Sequence, residues 1–579
     1  MSSTKNVMLD NLAAEGRAKL YPGKIKITVG MATCGRAAGA QEIFETLAQR
    51  LEQRDMDVIL EETGCIGCCQ KEPLVDVRFP GGGRILFSEM NRPRARALVD
   101  SLSRDEFPGR LQPWAFVEKE GTLQSDQPKL FSRTPALKDI PSLGELPFFQ
   151  PQKRIVLRNC GLTNPASLAE YCAHGGYKGL LKVLNSMDSQ DVISEVSLSG
   201  LRGRGGGGFP TGQKWQVASD AQEETKYVIC NGDEGDPGAY MDRTVLESDP
   251  HSVIEGMVIG AYAVGANKGY MYVRDEYPLA IATLAGAVGQ AWDHGFIGSN
   301  ILGSGFDFSL EIIRGAGAFV CGEETAMISS IEGGIGEPRP KPPYPAVSGL
   351  WGKPTVINNV KTWAAVPVII TNGAKWYSSF GSPENRGTVV FSIVGQIANT
   401  GLVEVPLGMT LHDLLCGIGG GSGNGHSLKA VQTGGPSGGC LPAEKFDLPI
   451  EYERLKAAGS IMGSGGMVAL DETTCMVDVA RYFLDFTTIE SCGKCTACRE
   501  GNRHIRSILD RIIHGEARAG DLDLLEEVGE SVKAGSLCGL GQTSPNPVLS
   551  TLRYFRDEYE AHVLEKRCPV GKCPMVLEV

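Results

Sequence analysis

A chain of 579 residues, 42% of them hydrophobic, can bury several cores, and its length suggests about three to five domains. The formal net charge of −12 leaves no broad basic surface, which excludes a nucleic-acid-binding class. The polar first 20 residues lack a secretory signal, and no apolar run is long enough to span a bilayer. The 17 cysteines, many in short-spaced clusters, point to metal ligation in a reducing, cytoplasmic setting rather than to disulfides.

Residues 21–30 alternate as a strand, 31–39 form a loop around Cys34, and 40–53 have amphipathic helical spacing. A second strand over 56–61 ends in Gly64-Cys65-Ile66-Gly67-Cys68-Cys69; residues 73–88 read as a hairpin and 93–102 as a helix. This order, with cysteines after the first two strands, resembles the thioredoxin-like [2Fe-2S] ferredoxins. The resemblance implies a cluster held by Cys34, Cys65 and Cys69. The family's fourth position, five residues after Cys34, is Gly39, and Cys68 is an extra thiol awkwardly placed to replace it. The alternative is a degenerate domain kept for docking. Residues 1–110 are expected as this domain and 111–152 as a linker.

Long α/β alternation occupies 153–384, with Asn164-Pro165 as a helix start and helices over 165–173 and 177–186. Its centre is Leu201-Arg-Gly-Arg-Gly-Gly-Gly-Gly-Phe-Pro-Thr-Gly-Gln-Lys-Trp215. Glycines let a backbone lie against a flat or anionic ligand, and Lys214 supplies a point charge for a phosphate. The spacing fits neither GxGxxG nor the Walker pattern, so a flexible loop and a phosphate cradle both remain open. Downstream come a strand into Asn231-Gly-Asp233-Glu234-Gly-Asp236, a small-residue loop into Phe319-Val-Cys-Gly322-Glu323-Glu324, a stiff Lys341-Pro-Pro-Tyr344, and Ile357-Asn358-Asn359-Val-Lys-Thr362. The acids suit hydroxyl or ring N–H donors; simple turns and helix caps are the plain alternatives.

Together these loops closely resemble the flavin-bearing, NADH-oxidising subunit of respiratory complex I and its soluble relatives, most of all the flavin subunit of electron-bifurcating hydrogenase and transhydrogenase complexes. The resemblance implies that Gly203, Arg204, Gly205 and Lys214 hold the FMN phosphate and ribityl region. Asn231, Asp233, Phe319, Gly322, Glu323, Ile357, Asn358, Asn359 and Thr362 would complete the flavin pocket. NAD(H) would stack beside Phe209 and meet Glu234, Asp236, Glu324, Lys341 and Tyr344. Asp236 and Tyr344 stand where complex I subunits usually carry Glu and Phe. NAD is expected over NADP, because the nucleotide contacts are acidic and would oppose a 2′-phosphate.

Residues 385–470 are similar to the family's ubiquitin-like β-grasp module and show no chemistry of their own. The helical segment 471–560 carries Cys492-x2-Cys495-x2-Cys498 and a distant Cys538, a [4Fe-4S] signature; a four-cysteine zinc site is the alternative. In the tail, 561–579, His562, Cys568 and Cys573 join Cys475 as a candidate tetrahedral zinc set.

The expected fold is therefore multidomain α/β: a thioredoxin-like domain, a Rossmann-like FMN/NAD domain, a β-grasp module and a C-terminal helical bundle with an iron–sulfur cluster. The expected function is hydride exchange between NAD(H) and FMN, with single electrons passed to iron–sulfur clusters. The setting would be a bifurcating complex coupling NAD(H), ferredoxin and a third couple (H2, NADPH or formate). Its expected partners are a [2Fe-2S] thioredoxin-like subunit and a larger catalytic subunit. A non-bifurcating NADH dehydrogenase module and a relay scaffold with inactive nucleotide sites are the competing readings.

Overall fold

The computed structural model describes residues 2–104, 111–120 and 128–575. The end of the expected first domain (105–110), part of the expected linker (121–127) and the last tail residues (576–579) lie outside the described residues. No described helix is long and apolar enough to cross a membrane.

Ser2–Leu20 is a helix that the polar sequence did not announce. It packs on Leu168–Ala173, and its Leu9 and Ala13 are buried in the core of the central α/β region. A Cβ on Gly16 would lie 1.9 Å from the Ala169 carbonyl oxygen, so a glycine is what lets the two helices touch.

The chain then builds a mixed five-stranded sheet in the spatial order Ile59–Thr63, Lys26–Gly30, Val75–Arg78, Arg84–Phe87, Ala115–Val117. Helices Ala40–Gln53 and Arg92–Leu102 cover it, their apolar faces closing on Ile27, Val29, Val77 and Ile85. The last strand comes from the segment expected to be a linker, and Phe131, Leu137 and Ile140 of that segment join the same core. Buried polar contacts anchor this unit to the next: Lys26 Nζ reaches Glu170 at 3.3 Å, and Arg84 donates to the Gly161 carbonyl at 2.6 Å. The helix Leu168–Ala173 starts later than Asn164-Pro165 suggested, because Ser167 supplies its cap.

The central sheet is parallel and four-stranded, in the order Ser309–Gly315, Lys268–Arg274, Tyr227–Gly232, Thr355–Asn359. Chain order runs outward to one side from Tyr227–Gly232, and Thr355–Asn359 is added on the other. The crevice beyond the carboxyl ends of those two strands is a topological switch point, where open α/β sheets bind ligands. Behind it, Trp215 and Trp363 stack at 5.6 Å, both fully buried.

A second mixed five-stranded sheet follows, ordered Gly401–Pro406, Thr388–Gly395, Gly466–Asp471, Leu428–Thr433, Gly439–Pro442. Helices Met476–Ile489, Thr496–Ile513, Asp521–Gly535 and Asn546–Tyr554 then pack around Leu484, Ile505, Leu509, Leu525 and Val548.

Candidate functional site

The glycine loop is a pinched hairpin. Gly203 N–H donates to Phe209 O at 2.8 Å and Thr211 N–H to Leu201 O at 2.9 Å, so the ends are zipped and 203–208 form the tip. Gly206 and Gly208 have φ of +127° and +61°, and a Cβ on Gly208 would lie 2.5 Å from the Tyr452 ring. Arg202 lies over that ring at 4.2 Å and pairs with Glu453 at 2.7 Å, while Tyr452 Oη donates to Gly203 O. The loop is shaped rather than floppy, and the module expected to carry no chemistry is what shapes it.

Lys214, in the first turn of helix Thr211–Asp220, reaches across the switch point. Its Nζ donates to Glu324 Oε1 at 2.6 Å and to Ile357 O at 2.9 Å. An ammonium has three donors, so one is left for a ligand. Asn231 bridges the loops, its Nδ2 donating to Gly322 O and its Oδ1 accepting from Asp233 N–H. Asp233 is buried with neither carboxylate oxygen hydrogen-bonded, and that burial pushes its carboxyl up to about 7. Two orphaned acceptors at this depth mark a place where a polar ligand fits.

Around them, Gly322 approaches the Asp233 carbonyl so closely that a Cβ would stand 3.3 Å from it. Asn358 accepts from Trp215 Nε1 at 2.9 Å once its amide is turned to satisfy both groups. Asn359 caps helix Val360–Asn372, and Thr362 Oγ1 accepts from Arg204 N–H. Asp242 gathers Asn359 Nδ2 and Lys361 Nζ, the latter at 2.6 Å and fully buried. Phe209 and Tyr344, 53% and 60% exposed, stand free as aromatic surfaces. Phe319 packs against Phe486 at 5.4 Å.

Two expected contacts are corrected. The Arg204 guanidinium faces away from any ligand: it is buried and donates to Thr388 O, Arg202 O, Arg386 O and Tyr377 Oη. Only its backbone belongs to the loop surface. Glu234 is a helix cap, accepting the N–H groups of Met241, Asp242 and Arg243 at 2.8–3.1 Å, and its carboxylate is not free for a nucleotide. The acids expected to oppose a 2′-phosphate are themselves matched by cations or held as caps. Glu323 caps helix Glu324–Ile331 and pairs with Lys341 at 2.6 Å, and Glu324 is matched by Lys214. Ser464, which donates to Asp236 at 2.6 Å, and Tyr452 are site residues that the sequence did not single out.

The four-cysteine loops lie beside this crevice. Cys495 and Cys538 are the residues just before helices Thr496–Ile513 and Gly539–Thr543, and Cys498 is buried one turn in. Burial raises the Cys495 thiol, but hydrogen bonds from the Leu537 and Cys498 backbone, the Ser536 side chain and its own backbone together hold it below its ordinary value. Ser491 Oγ and Asn502 Nδ2 reach Cys498 Sγ at 3.3 and 3.4 Å. Oriented N–H and hydroxyl groups facing sulfurs suit thiolates on a cluster. Lys494 Nζ donates to Pro338 O, Phe319 N–H donates to Glu490, and Cys492 packs against the apolar cluster that holds Val320 and Cys321, which joins this segment to the crevice wall.

Two further thiol groups assemble. Cys475, His562, Cys568 and Cys573 place four donor atoms within 4.8 Å of one another. Cys475–His562, His562–Cys573 and Cys573–Cys475 are 3.6, 3.3 and 3.5 Å apart, near the roughly 3.8 Å edge of a tetrahedron with ~2.3 Å metal–sulfur bonds. His562 Nδ1 faces Glu558 O at 2.7 Å, which aims Nε2 at the sulfurs. Cys34, Cys65 and Cys69 also converge, all three sulfurs within 4.8 Å.

Residues 196–368 match the Nuo51 FMN-binding domain, and 478–562 the iron–sulfur binding region of NADH-ubiquinone oxidoreductase-F. The chain is 55% identical to the HndC subunit of the NADP-reducing hydrogenase of Solidesulfovibrio fructosivorans over 426 residues, 74% of this chain and 86% of that one. It is 43% identical to the NADH-quinone oxidoreductase F 2 subunit of Rhizobium meliloti over 73% of this chain and 99% of that one. An NAD+-reducing [NiFe]-hydrogenase crystal structure in the air-oxidized state matches with a TM-score of 0.61 at 28% identity, covering 96% of this chain and 88% of that one.

Proposed function

The chain belongs to the family of flavin- and iron–sulfur-bearing subunits that includes the F-type subunits of NADH-quinone oxidoreductase and the HndC hydrogenase subunit, and from that premise we propose how its residues work. It is an NAD(P)(H)-dependent oxidoreductase subunit of a multisubunit complex. FMN, when bound, supplies both hydride exchange with a nicotinamide and single-electron exchange with a cluster. The tip Gly203–Gly208 and the free donor of Lys214 meet the flavin phosphate. Asp233 accepts from ribityl hydroxyls or a ring N–H, with Asn231, Gly322, Glu323, Ile357, Asn358, Asn359 and Thr362 as the walls. Phe209 and Tyr344 hold the nicotinamide nucleotide, and Asp236, Glu324 and Lys341 orient it. The chain provides alignment and exclusion of water rather than an acid or base.

Cys492, Cys495, Cys498 and Cys538 would hold a [4Fe-4S] cluster, which would supply one-electron chemistry. The observation that carries this reading is the pair of unpartnered Asp233 oxygens at a switch point whose wall is joined to the four-cysteine loops. Anaerobic addition of NADH should bleach the flavin absorbance; an unbleached spectrum would favour a relay scaffold. NADPH in a parallel titration ranks the two nucleotides, and tighter NADPH binding would overturn NAD(H) as the physiological pair.

The finer reading is a bifurcating complex in which NAD(H) is coupled to ferredoxin and to a third couple such as H2. The 55% identity to the HndC hydrogenase subunit, against 43% to the NADH-quinone oxidoreductase F 2 subunit, supports a hydrogenase setting for it. The complete complex should then reduce its third partner only when ferredoxin is also turned over; reduction by NADH alone would reject it.

Cys475, His562, Cys568 and Cys573 hold a structural zinc that pins the tail to the helical bundle. Replacing Cys568 and Cys573 with Ser should remove one zinc per chain without loss of iron, measured by elemental analysis; unchanged zinc would sink the assignment.

A further inference from the structure

The Cys34, Cys65 and Cys69 pocket disagrees with the two-iron cluster that its resemblance implied, and the disagreement is informative. A two-iron rhomb needs four terminal ligands. The fourth position, Gly39, has no side chain and a φ of +100°, where a cysteine would be strained. Cys68 is only 1% exposed and packs in the core of the neighbouring sheet with Val403 and Leu414, away from the pocket.

Distance argues the same way. In a rhomb the terminal thiolates sit two on each iron, so any three include a pair separated by the length of the cluster. Here all three sulfurs lie within 4.8 Å, and Cys34 and Cys69 are 3.6 Å apart. A single tetrahedral ion with ~2.3 Å bonds has sulfurs about 3.8 Å apart. Charge fits too. Three thiolates around a divalent ion carry one net negative charge, and the Arg243 guanidinium, which also pairs with Glu247 at 3.9 Å, faces it 3.8 Å from Cys34 Sγ. Tyr240 Oη lies beside Cys69, a polar atom suited to completing the shell.

We infer that this pocket holds one thiolate-bound divalent ion of the zinc class. The N-terminal unit is then a metal-stapled docking element and not an electron carrier. Any second electron exit required by the bifurcating reading must lie in a partner subunit, a consequence that rests on that reading although the metal assignment does not.

The experiment is elemental analysis of the full chain purified anaerobically, with reduced-state electron paramagnetic resonance. The expected result is about four irons per chain, those of one [4Fe-4S] cluster, and two zincs. Cys34→Ser, at a half-buried position, should cost one zinc and no iron, and Cys65→Ser the same. The tail double variant should cost the other zinc. About six irons per chain, or a two-iron resonance that survives Cys495→Ser, would overturn the inference, as would zinc unchanged in both N-terminal variants. Far-ultraviolet circular dichroism of Cys34→Ser confirms that a lost zinc is not a lost fold. A chain that fails to bleach with NADH but keeps these metal counts would refute the flavin reading alone.

Discussion

Lys361→Met should destabilise the protein by about 3–5 kcal/mol, the cost of leaving a buried charge without its partner. Lys361 is fully buried, and its ammonium sits 2.6 Å from Asp242, itself 3% exposed at the side chain. Removing the cation strands a carboxylate that keeps Asn359 Nδ2 as its side-chain donor but loses its counter-charge. The Asn359 side chain also caps the helix that begins the 360–362 wall, so flavin retention should fall with stability. The control is Asp242→Asn combined with Lys361→Met. Replacing both charges by neutral groups of similar size removes the penalty, so the pair should recover most of the loss in a double-mutant cycle. The measurement is thermal unfolding followed by flavin release and by circular dichroism. A single variant within about 1 kcal/mol of the parent, or a double variant no better than the single, would contradict this account.

Lys214→Ala should weaken FMN binding by about 10- to 150-fold, the range expected from losing a hydrogen bond of about 1.5–3 kcal/mol to a charged group. Two of the three ammonium donors are already engaged by Glu324 and Ile357 O. The alanine therefore removes the contact proposed for the phosphate and also leaves Glu324 as an unmatched anion beside that proposed site. Glu324→Gln in the Lys214→Ala background should restore part of the affinity by removing that repulsion. Flavin content after dilution and desalting reads the effect. Full retention by Lys214→Ala would remove this residue from the phosphate site.

The features legible in the sequence were those written in rare residue types at short range. Cys492, Cys495 and Cys498 form a compact C-x2-C-x2-C run, and His562, Cys568 and Cys573 are similarly close, whereas Cys475 lies 87 residues before His562 and is brought to them by the fold. What the sequence concealed was direction. Arg204 in a glycine loop reads as a phosphate ligand, but the carbonyls that claim it belong to Arg386 and Thr388, more than 180 residues away. Glu234 reads as one of three acids in a ligand loop, and only the fold reveals that the helix Met241–Ser248 begins against it. Tyr452 and Ser464 carry no motif at all; they matter because the second sheet folds back over the crevice. The N-terminal helix was concealed by its own composition, since a few apolar residues among many polar ones suffice when a glycine permits close contact with a neighbour.

Helix Ser2–Leu20 precedes the N-terminal sheet yet packs on the region that follows it. The sheet unit is therefore moored at both chain ends. One peptide bond cut between it and the central region would leave it held through the first helix, and the broken contacts would re-form as an intramolecular event at a high effective concentration. Limited proteolysis should accordingly nick the chain without changing its hydrodynamic size. The arrangement also sets an order during synthesis: helix Ser2–Leu20 cannot dock until its partner Leu168–Ala173 has emerged, so the sheet unit between them closes as a loop.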